Sequence, residues 1–340
     1  MEAPVVLAVD GNSLVHRSFH AMANTDQPLW AVRGLLSQLV AAVDRVRPVA
    51  VVVGFDDASR SLRRERWPTY KANRAEKLPT LVEQLTRAAE VMRELGVAVV
   101  IPDGLEADDV LASVAKFARE AGARTVIATS DRDSFALIDD NTRVLRIING
   151  GVDASPMMTP ERLVLLLGVP PSQYRDFAAL RGDPSDNLSG VRGIGPTGAA
   201  RLLTEFGSAA AAFEDLDRVR SKVGAAIATR LEHPDARAAY ELNCQAMAMH
   251  DDVALDLALT CGAGVLPLTA ETVDSVYRAH NLTWSAGQAV RVLADVEALE
   301  TAPPRPIPAW TAPGPPRRAL GPVTIPTRRR PTIEQLSLFE

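Results

Sequence analysis

Along the first 150 residues, short continuous apolar runs alternate with segments whose apolar positions recur every three or four residues. The runs are Val5–Val9, Val49–Phe55, Val97–Ile101, Thr125–Thr129 and Arg143–Ile148. Unbroken rather than alternating hydrophobicity is what a strand buried on both faces shows, and it predicts a parallel sheet. Between the runs, Leu81–Leu95 and Val110–Ala121 carry helical spacing, with Gly96 and Gly122 where left-handed C-terminal caps belong. Such strand–helix alternation predicts a doubly wound α/β fold. From about Pro160 the strand signal stops. Glu161–Leu167, Ser172–Leu180, Gly198–Phe206, Gly224–Leu231 and Asp235–Ala248 read as helices joined by Gly/Pro turns. The expected organisation is an α/β domain over 1–160, an all-α domain over 161–298 and a tail over 299–340.

Composition supports this division. A chain of 340 residues that is 47% hydrophobic can bury a sizeable core and fits two domains better than one. Ten of the 24 prolines fall in the last 40 residues, so the tail is expected to be disordered. The longest apolar runs, such as Leu163–Val169, are too short to span a bilayer, and the N-terminus lacks a basic n-region. Cys244 and Cys261 form no CxxC or Cys/His cluster, which disfavours a disulfide framework or a structural zinc site. A cytoplasmic protein without a membrane partner is expected.

Charge complicates the picture. The chain carries 37 basic and 42 acidic residues, net −5. The last 40 residues hold six arginines against two glutamates, so the first 300 residues carry −9. That is unusual for a nucleic-acid-binding protein unless its carboxylates are gathered around cations. They are placed for it. Asp10 follows the first strand and Asp56 the second; Glu106, Asp108 and Asp109 follow the third; Asp131 and Asp133 follow the fourth. Sites in open parallel sheets form outside the carboxyl ends of the strands, so these seven acids are expected to face one crevice. Asp183 and Asp186 lie in the Gly-Asp-Pro-Ser-Asp-Asn loop that heads the helical half. Any one of them alone reads as a helix cap or turn residue. Nine bare carboxylates cannot share a cleft without several protonating. Oxygen ligands without His or Cys suit Mg²⁺ or Mn²⁺, and two such ions activate water and stabilise the leaving oxygen in phosphodiester cleavage.

Residues 60–77 hold seven cations (Arg60, Arg63, Arg64, Arg66, Lys71, Arg74, Lys77) against Glu65 and Glu76, with Trp67 and Tyr70 interleaved. Cations with aromatics suit single-stranded nucleic acid; a solvated helix face is the plainer alternative. Gly190-Val-Arg-Gly-Ile-Gly195 precedes a helix and has the form of a helix–hairpin–helix turn, in which backbone N–H groups meet a phosphate. No strand precedes it, which argues against a dinucleotide fingerprint, and the chain has no GxxxxGK[ST] loop.

With these residues in order, the chain resembles the 5′-nuclease (flap endonuclease) superfamily, and within it the bacterial 5′–3′ exonuclease that also forms the N-terminal domain of DNA polymerase I. The matching stretches are Val9-Asp-Gly-Asn-Ser13, Arg17-Ser-Phe-His20, Val53-Gly-Phe-Asp56, Tyr70-Lys-Ala-Asn-Arg74, Gly104-Leu-Glu-Ala-Asp-Asp109, Ser130-Asp-Arg-Asp133, Leu180-Arg-Gly-Asp-Pro-Ser-Asp-Asn187 and Gly190-Val-Arg-Gly-Ile-Gly195. The resemblance implies a PIN-like parallel sheet with a helical arch, followed by a helix-three-turn-helix domain for duplex backbone. It implies that Asp10, Asp56, Glu106, Asp108 and Asp109 hold or bridge one metal ion, and that Asp131, Asp133, Asp183 and Asp186 serve a second. Lys71 and Arg74 would reach the scissile phosphate as catalytic residues, Tyr70 would stack on a base, and Arg17 and His20 would lie near the substrate's 5′ side. Gly193 and Gly195 would hold duplex phosphates, with a bound K⁺. Many relatives have a lysine after the hairpin, where this chain reads Pro196-Thr197-Gly198.

The implied activity is Mg²⁺- or Mn²⁺-dependent cutting of 5′ flaps and 5′ ends of DNA, RNA primers included, in replication and repair. The expected protein is a nucleoid-associated monomer. No polymerase domain follows in this sequence, so a stand-alone enzyme is expected. The last residues, Glu334-Gln-Leu-Ser-Leu-Phe-Glu340, resemble the motif by which bacterial replication proteins dock on the sliding clamp, with Gln335, Leu336, Leu338 and Phe339 as contacts. A frayed terminus is the alternative. Two rival classes are a non-catalytic, structure-specific DNA-binding or clamp-recruited scaffold and a PIN-type ribonuclease. The complete acid set disfavours the first; the hairpin and the extra acids disfavour the second.

Overall fold

The computed structural model describes residues 3–21 and 28–294. β1 (Val5–Asp10) is buried in all but its first position and passes without a loop into α1 (Gly11–Ala21). α2 (Trp30–Val46) returns the chain to β2 (Ala50–Gly54), then α3 (Leu62–Arg66) and α4 (Pro79–Glu94) lead to β3 (Ala98–Val100). α5 (Ala107–Glu120) connects to β4 (Arg124–Thr129), and β5 (Thr142–Arg146), α6 (Gly151–Ala154) and β6 (Met157–Met158) complete the sheet. The strand order is β3-β2-β1-β4-β5-β6. All pairs are parallel except β5 with β6. The order reverses between β1 and β4, so the crevice beyond their carboxyl ends is the topological switch point at which such sheets bind ligands.

Successive residues of a strand point to opposite faces, and here they feed two separate cores. Leu7, Val9, Val51, Val53, Val126 and Ala128 join side chains of α1, α2 and α4 on one face. Val6, Ala8, Val52, Ile127 and Val144 meet α5 and the helical half on the other. That half comprises α7 (Pro160–Leu167), α8 (Tyr174–Arg181), a two-stranded hairpin of β7 (Gly182–Asp183) and β8 (Leu188–Ser189), α9 (Pro196–Phe206), α10 (Ala209–Glu214), α11 (Leu216–Lys222), α12 (Ala225–Leu231) and α13 (Ala236–Ala246). The β7–β8 contact requires glycine: a Cβ on Gly190 would lie 2.2 Å from the Arg181 carbonyl oxygen.

Two features depart from the sequence reading. In the segment between β2 and α4, where the helical arch is expected, the helical part is the five-residue α3, followed by turns. α14 (Ala270–Ala279) and α15 (Thr283–Leu293) fall in the stretch assigned to the helical domain, yet they pack on the first face of the sheet. Val273, Val276 and Tyr277 enter the core formed by α2 and α4, and the Tyr277 hydroxyl donates to Leu36 O at 3.2 Å. Gly264 (φ +82°) allows the preceding segment to run along the sheet edge; its carbonyl accepts Val51 N–H at 2.8 Å. Among the described residues no helix is long and apolar enough to cross a membrane.

Candidate active site

A cleft of about 720 Å³ opens at the carboxyl ends of β1, β2 and β4, and Asp10, Asp56, Asp108, Asp131 and Asp183 line it. Asp10 ends β1 and is fixed by two donors, Ser13 N–H at 2.8 Å and the Thr129 hydroxyl at 2.7 Å. Asp56 accepts the Ala107 N–H at the start of α5, at 3.0 Å, and the Asn12 side-chain amide. Asn12 also accepts Asp56 N–H at 3.1 Å, a reciprocal pair that locks β2 to α1. Asp131 accepts the Asp133 N–H at 3.0 Å. Asp183 accepts both the N–H and the hydroxyl of Ser185, at 2.8 and 2.7 Å. Asp108 is different. Its Oδ1 is buried and has no hydrogen-bond partner.

Electrostatics follow from this crowding. Burial, joined by the charges of Asp56 and Asp131, pushes the Asp10 carboxyl up to about 7. Burial, with Asp131, Asp183 and Asp186 nearby, pushes Asp133 up to about 8. Asp108 is raised well above the usual carboxylate range by burial and by Asp131, Asp10 and Asp133. Acids in such a state gain when a divalent cation replaces their protons. No three of them close into a ready-made metal shell among the described residues. The donor set of carboxylate oxygens, with one orphaned buried oxygen, nonetheless fits hard divalent ions.

The remaining acids of the sequence reading stand apart from the cleft lining. Glu106 receives Lys71 Nζ at 2.8 Å, the Tyr70 hydroxyl at 3.0 Å and Arg63 at 3.3 Å. Burial alone would raise it, but Lys71 and Arg63 outweigh burial and hold it below its ordinary value. Asp186 is buried and accepts from Arg74. Asp109 does not reach the cleft. It is 0% exposed, and both its oxygens pair with Arg63 at 2.7 Å. One of them also accepts His250 N–H, at 2.8 Å.

The basic stretch divides in the same way. Arg63 is 6% exposed and donates to Ala246 O and Ala248 O as well as to Asp109, so it belongs to the interior. Tyr70 is 4% exposed; its ring is covered and its hydroxyl supports Glu106, in place of the expected stacking on a base. Lys71 adopts φ +54°, a conformation most side chains avoid, and its N–H donates to Asp186 O at 2.8 Å. Lys71, Arg74 and Lys77 do reach the cleft. Arg17 and His20 also line the cleft, and Arg17 donates to Asn149 Oδ1 at 2.7 Å. His16 stands beside them, lowered to about 4 by burial and by Lys77, His20 and Arg74. Asn12, Ser13, His16, Arg132, Asn149 and Arg181 are cleft residues to which the sequence reading assigned no role. Asn12, Ser13, Arg132 and Arg181 lie inside matching stretches; His16 and Asn149 carry no local signal. Gly193 (φ +81°) and Gly195 lie exposed at the hairpin before α9. Residues 334–340, with the expected clamp motif, lie outside the described residues.

An acid-lined switch-point cleft beside a helical hairpin module defines a nuclease fold. The chain belongs to the 5′-3′ exonuclease family: residues 5–165 match its N-terminal resolvase-like domain and residues 169–261 its C-terminal SAM fold. It is 38% identical over 234 residues to DNA polymerase I of Mycobacterium tuberculosis, covering 67% of this chain and 26% of that protein. Against the thermostable DNA polymerase I of Thermus thermophilus it is 39% identical over 243 residues, 70% of this chain and 28% of that one. The chain thus spans about a quarter of the length of these relatives. The bacteriophage T5 D15 protein, crystallised with metal ions, superposes with TM-score 0.59 at 19% identity, covering 84% of this chain and 99% of that one. The catalytic core of Rad2 in complex with DNA gives 0.54 at 17%, covering 86% and 92%. At these identities the two structures support the fold.

The raised carboxyls have a measurable consequence. Their folded values exceed the ordinary 3.8, so their contribution to stability is full below about pH 4 and is lost as pH rises through about 7 for Asp10 and about 8 for Asp133. A divalent cation held among these carboxylates would remove this penalty. The rise in melting temperature on adding Mg²⁺ or Mn²⁺ is therefore larger at pH 8.5 than at pH 5.5; equal rises at both would contradict the arrangement.

Proposed function

We propose that the protein is a structure-specific 5′-nuclease that hydrolyses phosphodiesters at 5′ flaps and 5′ ends of DNA, RNA primers included, in replication and repair. The observation that carries this reading is the unpartnered, buried Asp108 oxygen among Asp10, Asp131 and Asp133. Asp10, Asp56, Asp108, Asp131 and Asp183 would hold the cations directly, with Asp133, Glu106 and Asp186 behind them. Two divalent ions, Mg²⁺ or Mn²⁺, supply Lewis acidity for the displacement at phosphorus. Lys71 and Arg74 take the scissile phosphate, exchanging their carboxylate partners for its oxygens. Arg17 and His20 face the 5′ side of the strand. The hairpin of Gly193 and Gly195, with K⁺, holds the duplex. The protein acts as a monomer at the nucleoid, and residues 334–340 tether it to the sliding clamp.

The test is cleavage of an end-labelled 5′-flap duplex in Mg²⁺ and in EDTA, beside a blunt duplex and a single strand. Cutting near the flap junction that requires Mg²⁺ and exceeds cutting of the single strand is the expected result. Binding without cutting in both Mg²⁺ and Mn²⁺ would favour a DNA-binding scaffold. Deleting residues 334–340 should leave cleavage of free DNA intact and abolish calorimetric binding to the clamp; unchanged clamp affinity would reject the tether.

A further inference from the structure

The hairpin Gly190–Gly195 contains no lysine, and none follows it within α9. Its one cation is Arg192, and a second arginine reaches it from elsewhere in the chain. A Cβ placed on Gly193 would lie 2.7 Å from Arg230 Nε, 3.1 Å from Cδ and 3.2 Å from Cζ. The head of Arg230, in the last turn of α12, therefore rests on the Gly193 backbone, and any side chain at 193 would displace it. Both residues are exposed, as is the adjoining Arg192.

Several exposed arginines of the helical half are already paired with carboxylates, whereas Arg230 and the adjoining Arg192 are not. Arg218 pairs with Glu205 at 3.0 Å, Arg237 with Glu214 at 2.7 Å, and Arg220 with Glu232. Arg230 has no carboxylate partner among the described residues. A terminal arginine suits the α12 dipole, but that does not account for its seat on a glycine. In front of it, a Cβ on Gly195 would meet nothing within 4 Å, so the approach to the first turn of α9 is open. The hairpin is also held rigidly to the acid loop: Val191 N–H donates to Leu180 O at 2.9 Å, and Gly190 packs on Arg181 O.

We propose that Arg230 is a duplex-anchoring residue, supplying from α12 a cation for a backbone phosphate at the hairpin. This rests on the reading of the protein as a DNA-acting nuclease. The experiment is binding of a 5′-flap duplex in EDTA, followed by fluorescence anisotropy from about 50 to about 300 mM KCl. One phosphate contact adds about 0.9 to the slope of log affinity against log salt, which is roughly tenfold in affinity near 0.1 M. Arg230→Ala should lose that slope and that affinity, and Arg230→Lys should keep the slope. Arg218→Ala, which removes an already neutralised arginine, should match the native protein. A structural role for Arg230 would leave the slope of the alanine variant unchanged, and that result overturns the assignment alone. Native protein that binds no flap duplex overturns the nuclease reading together with it.

Discussion

Asp108→Asn should abolish flap cleavage and raise the melting temperature in EDTA. The activity loss follows from the cleft. Asp108 presents a buried oxygen with no protein partner, and a neutral amide there cannot bind a divalent cation as a carboxylate does. Even partners one shell out from a metal cost ten- to a hundredfold on removal, so the drop should exceed about a hundredfold under saturating substrate. The stability gain follows from the same crowding. In the absence of cation, burial and the charges of Asp131, Asp10 and Asp133 penalise an ionised Asp108, and asparagine ends that penalty at nearly constant volume. Function and stability oppose each other at this position. A variant that loses activity together with stability would point to a packing role, and one at full rate would remove Asp108 from the site.

Arg63→Ala should be the most destabilising single change in the basic stretch, by about 3–5 kcal/mol, because it leaves Asp109 charged, buried and unpaired. The guanidinium makes two 2.7 Å bonds to Asp109 and also donates to the carbonyls of Ala246 and Ala248. Lysine cannot reproduce that fork, so Arg63→Lys should recover little. The double variant Arg63→Met, Asp109→Leu should recover part of the loss, since it removes the buried unpaired charge but leaves the Ala246 and Ala248 carbonyls and the His250 N–H without these partners. Urea denaturation of the three variants in EDTA tests this. A loss below about 1 kcal/mol for Arg63→Ala would show that Asp109 finds another partner.

These residues mark the limit of what the sequence made legible. Strand runs and the rule that parallel sheets bind ligands at their carboxyl ends sufficed to bring Asp10, Asp56, Asp108 and Asp131 to one cleft. Neighbouring residues were not separable in this way. Asp108 and Asp109 are adjacent, but a turn of about 100° between successive helical positions sends one to the cleft and the other to Arg63. The burial of Arg63 was invisible for a related reason. Its partners lie 46 positions away at Asp109, 183 at Ala246 and 185 at Ala248, so a local charge run shows only cations. α14 and α15 have ordinary amphipathic patterns, and nothing local says which core receives them. Arg230 met Gly193 only through the fold.

The return of α14 and α15 to the first face of the sheet also sets an order of events during synthesis. Leu36 and Tyr277 are bonded across 241 positions of chain. At about 5–20 residues per second, the ribosome takes roughly 10–50 s to supply the second after the first. Throughout that interval the apolar surface of α2 and α4 lacks the cover of α14 and α15, and exposed apolar surface of this kind favours aggregation unless something else shields it.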